Sequence, residues 1–498
     1  MLQGYILNSY LGLNKNTYYC SIVCGSALFL ASCVNYIGLH SKQHLKKPEQ
    51  FTTEKSIMGD NGAWPTMDWA KQFDKQLPSL IEEGLANNPN LQTAVARQNQ
   101  AAALVDAGNS ALLPRITWHN LSSRNKAVFQ RAHLLQNLGL TAVNFRYELD
   151  FWGKNYSLLA QALSEQKVSQ AALYQSALIL STSIATLYNE LDYEYRYQEV
   201  LLETKKQREL FNQITQRLRR TGLATDVQVY QARNSFLDVK TQLIASASKI
   251  HKLRQQLGVL LGKGPDRGLS IHRPQLAYLK APRLPNQLPL HLLGRRPDIV
   301  AARWQVEASL HKVKYVKAQF YPDVDLLALA ANFSLGAGPL FRNTNQFLGY
   351  ATALTLPLFD GGYLRSQVKQ SYAVLDEQIA TYNASLNQAL GDVAEQVSEI
   401  HYIDQQLVMQ NKALSAARSA YQLAQKQYDI GLASQLVVLD TQTQYLLEQR
   451  AQLQLIKIRR DLQIALIKSL GGGFEERLLP TPRTTASPDH RLKKDEHV

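Results

Sequence analysis

Four landmarks recur along this 498-residue chain in one order, each displaced by about 208 residues. "NNPNLQTAVARQNQAAA" from Asn87 answers to "RRPDIVAARWQVEASL" from Arg295, aligning Pro89 with Pro297. "ALLPRITW" answers to "QFYPDVDL", aligning Pro114 with Pro322. "LDFWGK" (Leu149 to Lys154) answers to "PLFDGG" (Pro357 to Gly362), and "TGLATDVQVYQAR" from Thr221 answers to "IGLASQLVVLDTQ" from Ile430. Such a series is a tandem duplication, and two copies are too few for a solenoid. Whatever one copy folds into, the other folds into as well.

Each copy reads helix, strand, strand, long helix, turn, helix. In copy two, Tyr372, Leu375, Ile379, Tyr382, Leu386, Ala389 and Val393 step by three and four, and the ladder runs on through Ile400, Ile403, Leu407, Leu414, Tyr421 and Ala424 to Tyr428. Gln396 and Gln410 are its two polar rungs, and the whole is a coiled-coil seam. Copy one steps the same way at Leu173, Ala177, Leu180, Ile184, Leu187 and Leu191. A helix over 155–220 is ~100 Å long at the α-helical rise. The return helices are shorter, ~55 Å for 225–261 and ~35 Å for 297–320, so these two laid end to end nearly match it. The same holds for 434–470 followed by 89–113. The twin turns are then the tips of two equal hairpins. Gly222 and Gly431 supply the left-handed residue that ends a helix. Thr225 and Ser434 cap the next one, with a capping box to Gln228 that Val437 denies the second copy.

The strands alternate. Val143, Phe145, Tyr147 and Leu149 are interleaved with Asn144, Arg146, Glu148 and Asp150, and Leu348, Tyr350, Leu354, Leu356 and Leu358 with Gly349, Ala351, Ala353 and Thr355. This is the period of a strand with lipid on one side and water on the other. Trp118, Phe151, Trp152 and Phe359 fall near strand ends, where an aromatic girdle sits. Four strands cannot close a barrel, and lipid forbids open edges. Either the sheet is soluble or several chains share one barrel.

The cysteines, Cys20, Cys24 and Cys33, all lie in "YYCSIVCGSALFLASC". The apolar run is too short to span a bilayer and reads as a signal-peptide core. Leu-Ala-Ser-Cys matches a bacterial lipobox, which makes Cys33 the lipidated first residue of the mature chain. Removal of residues 1–32 leaves no free thiol, which suits an oxidising compartment. The net charge of +14 is scattered. Its local run, Arg217 to Arg220, ends a helix and opposes the macrodipole rather than marking a nucleic-acid contact.

Leu-Ala-Ser-Cys33, "NNPNLQTAVARQNQA", "ELDFWGK", "LLGRRPDIVAARWQVEA", "AQFYPDVDL", "PLFDGG" and the paired "GLAT" and "GLAS" turns together resemble the outer-membrane factor family, TolC-like, and its OprM/NodT lipoprotein branch. The resemblance spans roughly residues 64–470. It implies a mainly α protein with a transmembrane β-barrel: a homotrimer whose three chains build a 12-stranded barrel in the outer membrane and a long α-helical barrel in the periplasm. It also implies the exit duct of a tripartite efflux or secretion system, meeting a periplasmic adaptor and an inner-membrane transporter of RND or ABC type. No cofactor is expected beyond the lipid on Cys33, and no nucleic acid.

On this reading the chain divides into a signal peptide (1–32), a lipidated segment with equatorial contacts (33–75) and a first repeat (76–262). The first repeat comprises helices over 76–113, a β-hairpin over 114–151 and a coiled-coil hairpin over 155–262. A linker (263–296) follows, in which "GKGPDRG" is a helix stop rather than a phosphate loop. The second repeat (297–470) comprises a helix over 297–320, a β-hairpin over 321–359 and a coiled-coil hairpin over 361–470, and a polar, disordered tail (471–498) ends the chain. The expected docking tips are Gly222, Leu223, Ala224 and Thr225, with Gly431, Leu432, Ala433 and Ser434. By the same resemblance the periplasmic gate draws on Tyr428, Asp440 and Asp226, although Ala433 and Val437 replace a basic residue and an acid of the family's gate. No metal spacing or catalytic constellation is present, so no enzyme is expected. The alternative is a structural or adhesive coiled-coil lipoprotein whose strands pack in a soluble domain.

Overall fold

The computed structural model describes residues 36–47, 50, 62–129, 132–277, 294–335 and 346–479. Cys33, the signal segment, linker residues 278–293 and tail residues 480–498 lie outside the described residues. Helices α1 (Leu77–Asn87) and α2 (Pro89–Ser110) lead into strands β1 (Arg115–Phe129) and β2 (Ala132–Leu149), then the long helix α3 (Lys154–Arg220) and its return α4 (Asp226–Leu260). A single turn, α5 (Pro265–Leu269), lies inside the stretch expected to be only a stop and linker. Copy two follows as α6 (Pro297–Ala318), β3 (Asp323–Leu335), β4 (Gln346–Thr355), α7 (Tyr363–Asp429) and α8 (Gln435–Ser469). The duplication is kept to the residue: α3 and α7 each have 67, α4 and α8 each 35, α2 and α6 each 22.

The helices form one row of four rods. Helices α2 and α4, end to end, flank α3 on one side; α6 and α8, end to end, flank it on the other; α7 lies beyond them. This corrects the end-to-end pairing expected from sequence, which placed 225–261 on 297–320 and 434–470 on 89–113. Each joint lies within one copy. The Asn88 side chain donates to Leu260 O at 2.9 Å, and Arg296 Nη1 donates to Ser469 O at 3.4 Å. The last carbonyls of a helix lack intrahelical partners. Here the N-cap residue of the abutting helix supplies them. Gly262 and Gly471 allow the approach: a Cβ on Gly471 would sit 1.8 Å from Arg295 O. Length could not decide between the pairings, because both 22-residue helices fit either 35-residue partner.

Two apolar cores hold the row. One gathers Trp69, Phe73, Leu77, Leu80, Ile184, Tyr188, Leu191 and Leu257 around α1, α3 and α4. The other gathers Ile299, Leu375, Leu386, Val393 and Ile400 between α6, α7 and α8. The α7 ladder is buried from Leu375 to Leu407, its Gln396 rung only partly so; nearer the tip Ala424 alone of its members is buried, and Tyr428 is exposed. The first part of the tail is also ordered, contrary to expectation. Phe474 is buried against Tyr174, and Glu476 accepts from Trp304 and Arg303. Sequence polarity concealed a chain reversal at Gly471–Gly473 that returns one phenyl ring to the core.

The sheet has order β1-β2-β3-β4, antiparallel throughout. Its register aligns the apolar residues of the alternating strands, while β3 is apolar on both faces from Leu326 to Ala331. Trp118 faces Val143, Val143 faces Ala330, and Ala330 faces Leu348; Ile116, Phe145, Ala328 and Tyr350 form the next row. One face is therefore apolar, and it is open: Leu348 and Leu354 are exposed and Tyr350 is 93% exposed. The other face carries Arg146 paired to Asp325 at 2.9 Å. Trp118, Phe151, Trp152 and Phe359 are all exposed, Phe359 at 92%, so the expected girdle residues are not in the core. No described helix is long and apolar enough to cross a membrane.

Candidate functional site

The tips are built alike and finished differently. Each long helix ends through a left-handed glycine, Gly222 or Gly431, both at φ 77°. Leu223 N donates to Leu218 O at 2.8 Å and Gly222 N to Arg219 O at 3.1 Å; Leu432 N donates to Gln427 O at 2.7 Å and Gly431 N to Tyr428 O at 3.0 Å. These bonds satisfy the last carbonyls and push the next side chain outward. Leu223 and Leu432 are accordingly 75% and 77% exposed. At the first tip Thr225 and Gln228 form the reciprocal capping box, whereas Ser434 makes no side-chain cap bond. Ala224 and Ala433 lie between glycine and cap, half-buried.

The gate candidates are not brought together within one chain. Tyr428 is on the last turn of α7 and 38% exposed. Asp440 is exposed on α8 and has no partner among the described residues. Asp226 is engaged across the first turn. Arg219, from the basic run that ends α3, grips it with Nε–Oδ1 at 2.7 Å and Nη2–Oδ2 at 2.9 Å. That hydrogen-bonded guanidinium holds the Asp226 carboxyl below its ordinary value.

Sequence reasoning missed a polar seam between α3 and α8. Gln207, buried, donates to Leu439 O and Thr443 Oγ1, both at 2.8 Å, one residue from Asp440. Higher up, Arg460 meets the buried Asp192 at 2.6 Å and donates to Leu276 O at 2.8 Å. Lys249 of α4 bridges Glu190 and Glu194 at 2.6 and 3.0 Å, and Lys457 of α8 bridges Glu190 and Asp461 at 2.8 and 3.1 Å. Asn189 Nδ2 donates to Lys457 O and Asp461 Oδ1. Burial pushes the Asp461 carboxyl up, in spite of Asn189 and Lys457. Burial would also raise Glu190, but its two lysine partners hold it below the ordinary value. The signal was present: acids 190, 192 and 194 begin where the copy-one ladder stops at Leu191, and Arg459-Arg460 sit inside a return helix.

Rods that feed a sheet with one apolar, exposed face along all four strands define a protein of the membrane-channel class, whose lipid-facing residues alternate with inward ones. The family model "Outer membrane efflux protein" matches residues 80–263 and 288–472, two segments that follow the two copies. The multidrug resistance outer membrane protein MdtP of Escherichia coli O6:H1 is 30% identical over 476 residues, covering 92% of this chain and 96% of that protein. The crystal structure of the outer membrane protein VceC from Vibrio cholerae superposes with a TM-score of 0.74 at 33% identity, over 83% of this chain and 100% of that one. The CmeC outer membrane channel of Campylobacter jejuni shares the fold, with a TM-score of 0.76 at 20% identity over 88% of this chain and 94% of that one. The chain belongs to the outer membrane efflux protein family. It is an outer-membrane exit duct of an efflux system, and nothing in these comparisons supports an adhesive coiled-coil protein.

Proposed function

We propose that three copies of this chain assemble a passive conduit, with a 12-stranded barrel in the membrane and a twelve-rod tunnel in the periplasm. The observation that carries this reading is the sheet. Its two outer strands, β1 and β4, have no partner strand on their far sides among the described residues, while its apolar face is in register and open. Lipid does not tolerate bare strand edges, and closure by further copies removes them. The row of rods has the same two unfinished flanks, α2 with α4 and α7. Exposed Tyr402, Val408 and Met409 on α7 and Tyr230, Leu237 and Ile244 on α4 are apolar surface for a neighbouring copy.

In this assembly Cys33 carries the lipid and residues 1–32 are removed. The exposed leucines of the tips, Leu223 and Leu432, dock a periplasmic adaptor, itself joined to an inner-membrane transporter of RND or ABC type. Three Asp440 side chains converge near the closed end with Tyr428, and repulsion within such a ring favours cations. Cell fractionation followed by unboiled gel electrophoresis tests the assembly. A heat-modifiable oligomer in the outer-membrane fraction is expected, and a heat-indifferent monomer there would sink the shared barrel.

A further inference from the structure

The second copy carries a charge pattern beneath the sheet that the duct reading does not use. From Ser309 to Pro322 the end of α6 holds His311, Lys312, Lys314 and Lys317 and no acid; from Gly361 to Leu375 the start of α7 holds Arg365 and Lys369 and no acid. The matching ends in copy one lack this excess. The end of α2 has Asp106 and no cation, and Lys154 at the start of α3 is taken by Glu148 and Asp323 at 2.7 and 2.6 Å.

The cations surround one seam. Val316, Phe320 and Val368 pack between α6 and α7, covered by Tyr36 and Tyr372. Lys317 Nζ lies 5.1 Å from the Tyr36 ring centre and 5.2 Å from that of Tyr372, while Lys312 lies 4.7 Å from Tyr315. Lys314 is one turn from Lys317 on the same helix face, and Lys369 is one turn from both Arg365 and Tyr372. Lys312, Lys314, Lys317 and Lys369 form no ion pair with a described carboxylate. Asp376 accepts from Ser41 Oγ and the Lys42 and Gln43 amides, and Asp360 from the Gly362 and Leu364 amides, so neither pairs with these lysines, and Glu307 and Glu377 stand at the edges of the two stretches. The four lysine ammonium groups are thus left without a described carboxylate in contact.

Its height is fixed by independent features. Lys317 lies six residues before β3, and Lys369 lies roughly 9 Å along α7 from its sheet-proximal start. Exposed Phe151, Trp152, Phe359 and Tyr363 lie at the junctions between strands and long helices, where a barrel's aromatic girdle meets headgroups. Tyr36, seated on Phe320 and Lys317, is three residues from Cys33, so ~10 Å of chain separates the proposed lipid attachment point from the collar. Cations this close to a phosphate layer lie within about one Debye length of it.

We propose that this collar binds the headgroups of anionic phospholipids in the leaflet that faces the helical body. The proposal rests on the sheet spanning the outer membrane. Zwitterionic headgroups offer the same phosphate but cancel its charge, so the collar distinguishes the two classes.

The test is lipid retention by the purified full-length protein in detergent, counted by native mass spectrometry with phosphatidylglycerol and with phosphatidylcholine. The unaltered protein should favour phosphatidylglycerol by on the order of tenfold, with the preference falling as salt rises. Lys314→Gln/Lys317→Gln/Lys369→Gln should abolish the preference. Lys314→Gln/Lys369→Gln, which spares the ring contacts of Lys317, should reduce it several-fold. Equal retention of the two lipids by protein that still fractionates with the outer membrane would overturn the collar alone, whereas loss of that location would overturn the barrel reading. Displacement of phosphatidylglycerol by an equal concentration of inorganic phosphate would show an unspecific anion site and would also overturn the proposal.

Discussion

Helices α3 and α7 each run 67 residues from a left-handed glycine, Gly153 or Gly362, to a glycine-closed tip. At matched levels they bury different chemistry: Glu194 on α3 is as buried as Ile403 on α7. The difference follows from position in the row. Helix α3 has rods on both flanks, and each flank returns a partner, Lys249 from α4 and Lys457 and Arg460 from α8. Burying charge is costly unless every group is paired. Among the described residues helix α7 has helical neighbours on one side only, and there it buries an aliphatic ladder, with its acids Asp392 and Asp404 at the margin paired to Arg296 and Arg459. A duplicated element is thus free to change its chemistry once its neighbours are no longer the same.

The largest expected effect comes from breaking the charged side of this contrast. Asp192→Ala strands Arg460 without its carboxylate and should cost about 3–5 kcal/mol, measured by chemical denaturation of the detergent-solubilised protein. An unchanged midpoint would mean that water reaches the pair. On the aliphatic side, Ile403→Ala should cost about 2–5 kcal/mol through the cavity it leaves. Adding Asp192→Ala to it should give a nearly additive loss if the two rods act independently, and a shortfall would measure coupling through α8, which packs on both.

The tips offer a finer contrast. Thr225→Ala removes the hydroxyl half of a capping box, while the residue's own amide can still donate to Gln228, and should cost about 1 kcal/mol, whereas Ser434→Ala removes no side-chain bond and should be close to silent. Equal losses would show that Ser434 caps its helix in solution. The smallest expected effect is on acid stability. Lys249 and Lys457 hold the Glu190 pKa below its unfolded value, so its contribution is present above the unfolded pKa and is lost as pH falls through the folded one. Glu190→Gln should flatten the stability profile across that acid window, and an unaltered slope would remove Glu190 from the linkage.

Long-range periodicity and the duplication made most of the architecture legible. The helix lengths, the twin glycine turns and the one-sided capping box all follow from residues a few positions apart, where propensity and pattern act. The end-to-end joints did not, because lengths alone fit either pairing and the deciding contacts join Asn88 to Leu260 and Arg296 to Ser469. The partner of Asp226, Arg219, was not legible either, because it lies seven residues back across the turn. The ladder, too, predicted a seam down to Tyr428, but the lower half of α7 has one helical neighbour in its own chain, and there Gln410, Leu414, Ala417 and Tyr421 are only half-buried and Tyr428 is exposed.

The buried charges on α3 also bear on how the chain reaches this state. Asn88 and Leu260 are 172 residues apart and Arg296 and Ser469 are 173, so each joint closes a loop inside its own copy. Copy one can complete its outer rod before copy two has been made. The flank of α3 that receives α8 is different: Asn189 waits for Lys457 and Asp192 for Arg460, each 268 residues further on. Throughout that delay the flank faces water. An aliphatic stripe left exposed for so long would invite aggregation. Carboxylates and amides stay hydrated and soluble until the last helix arrives, and only then surrender their water to its lysine and arginine.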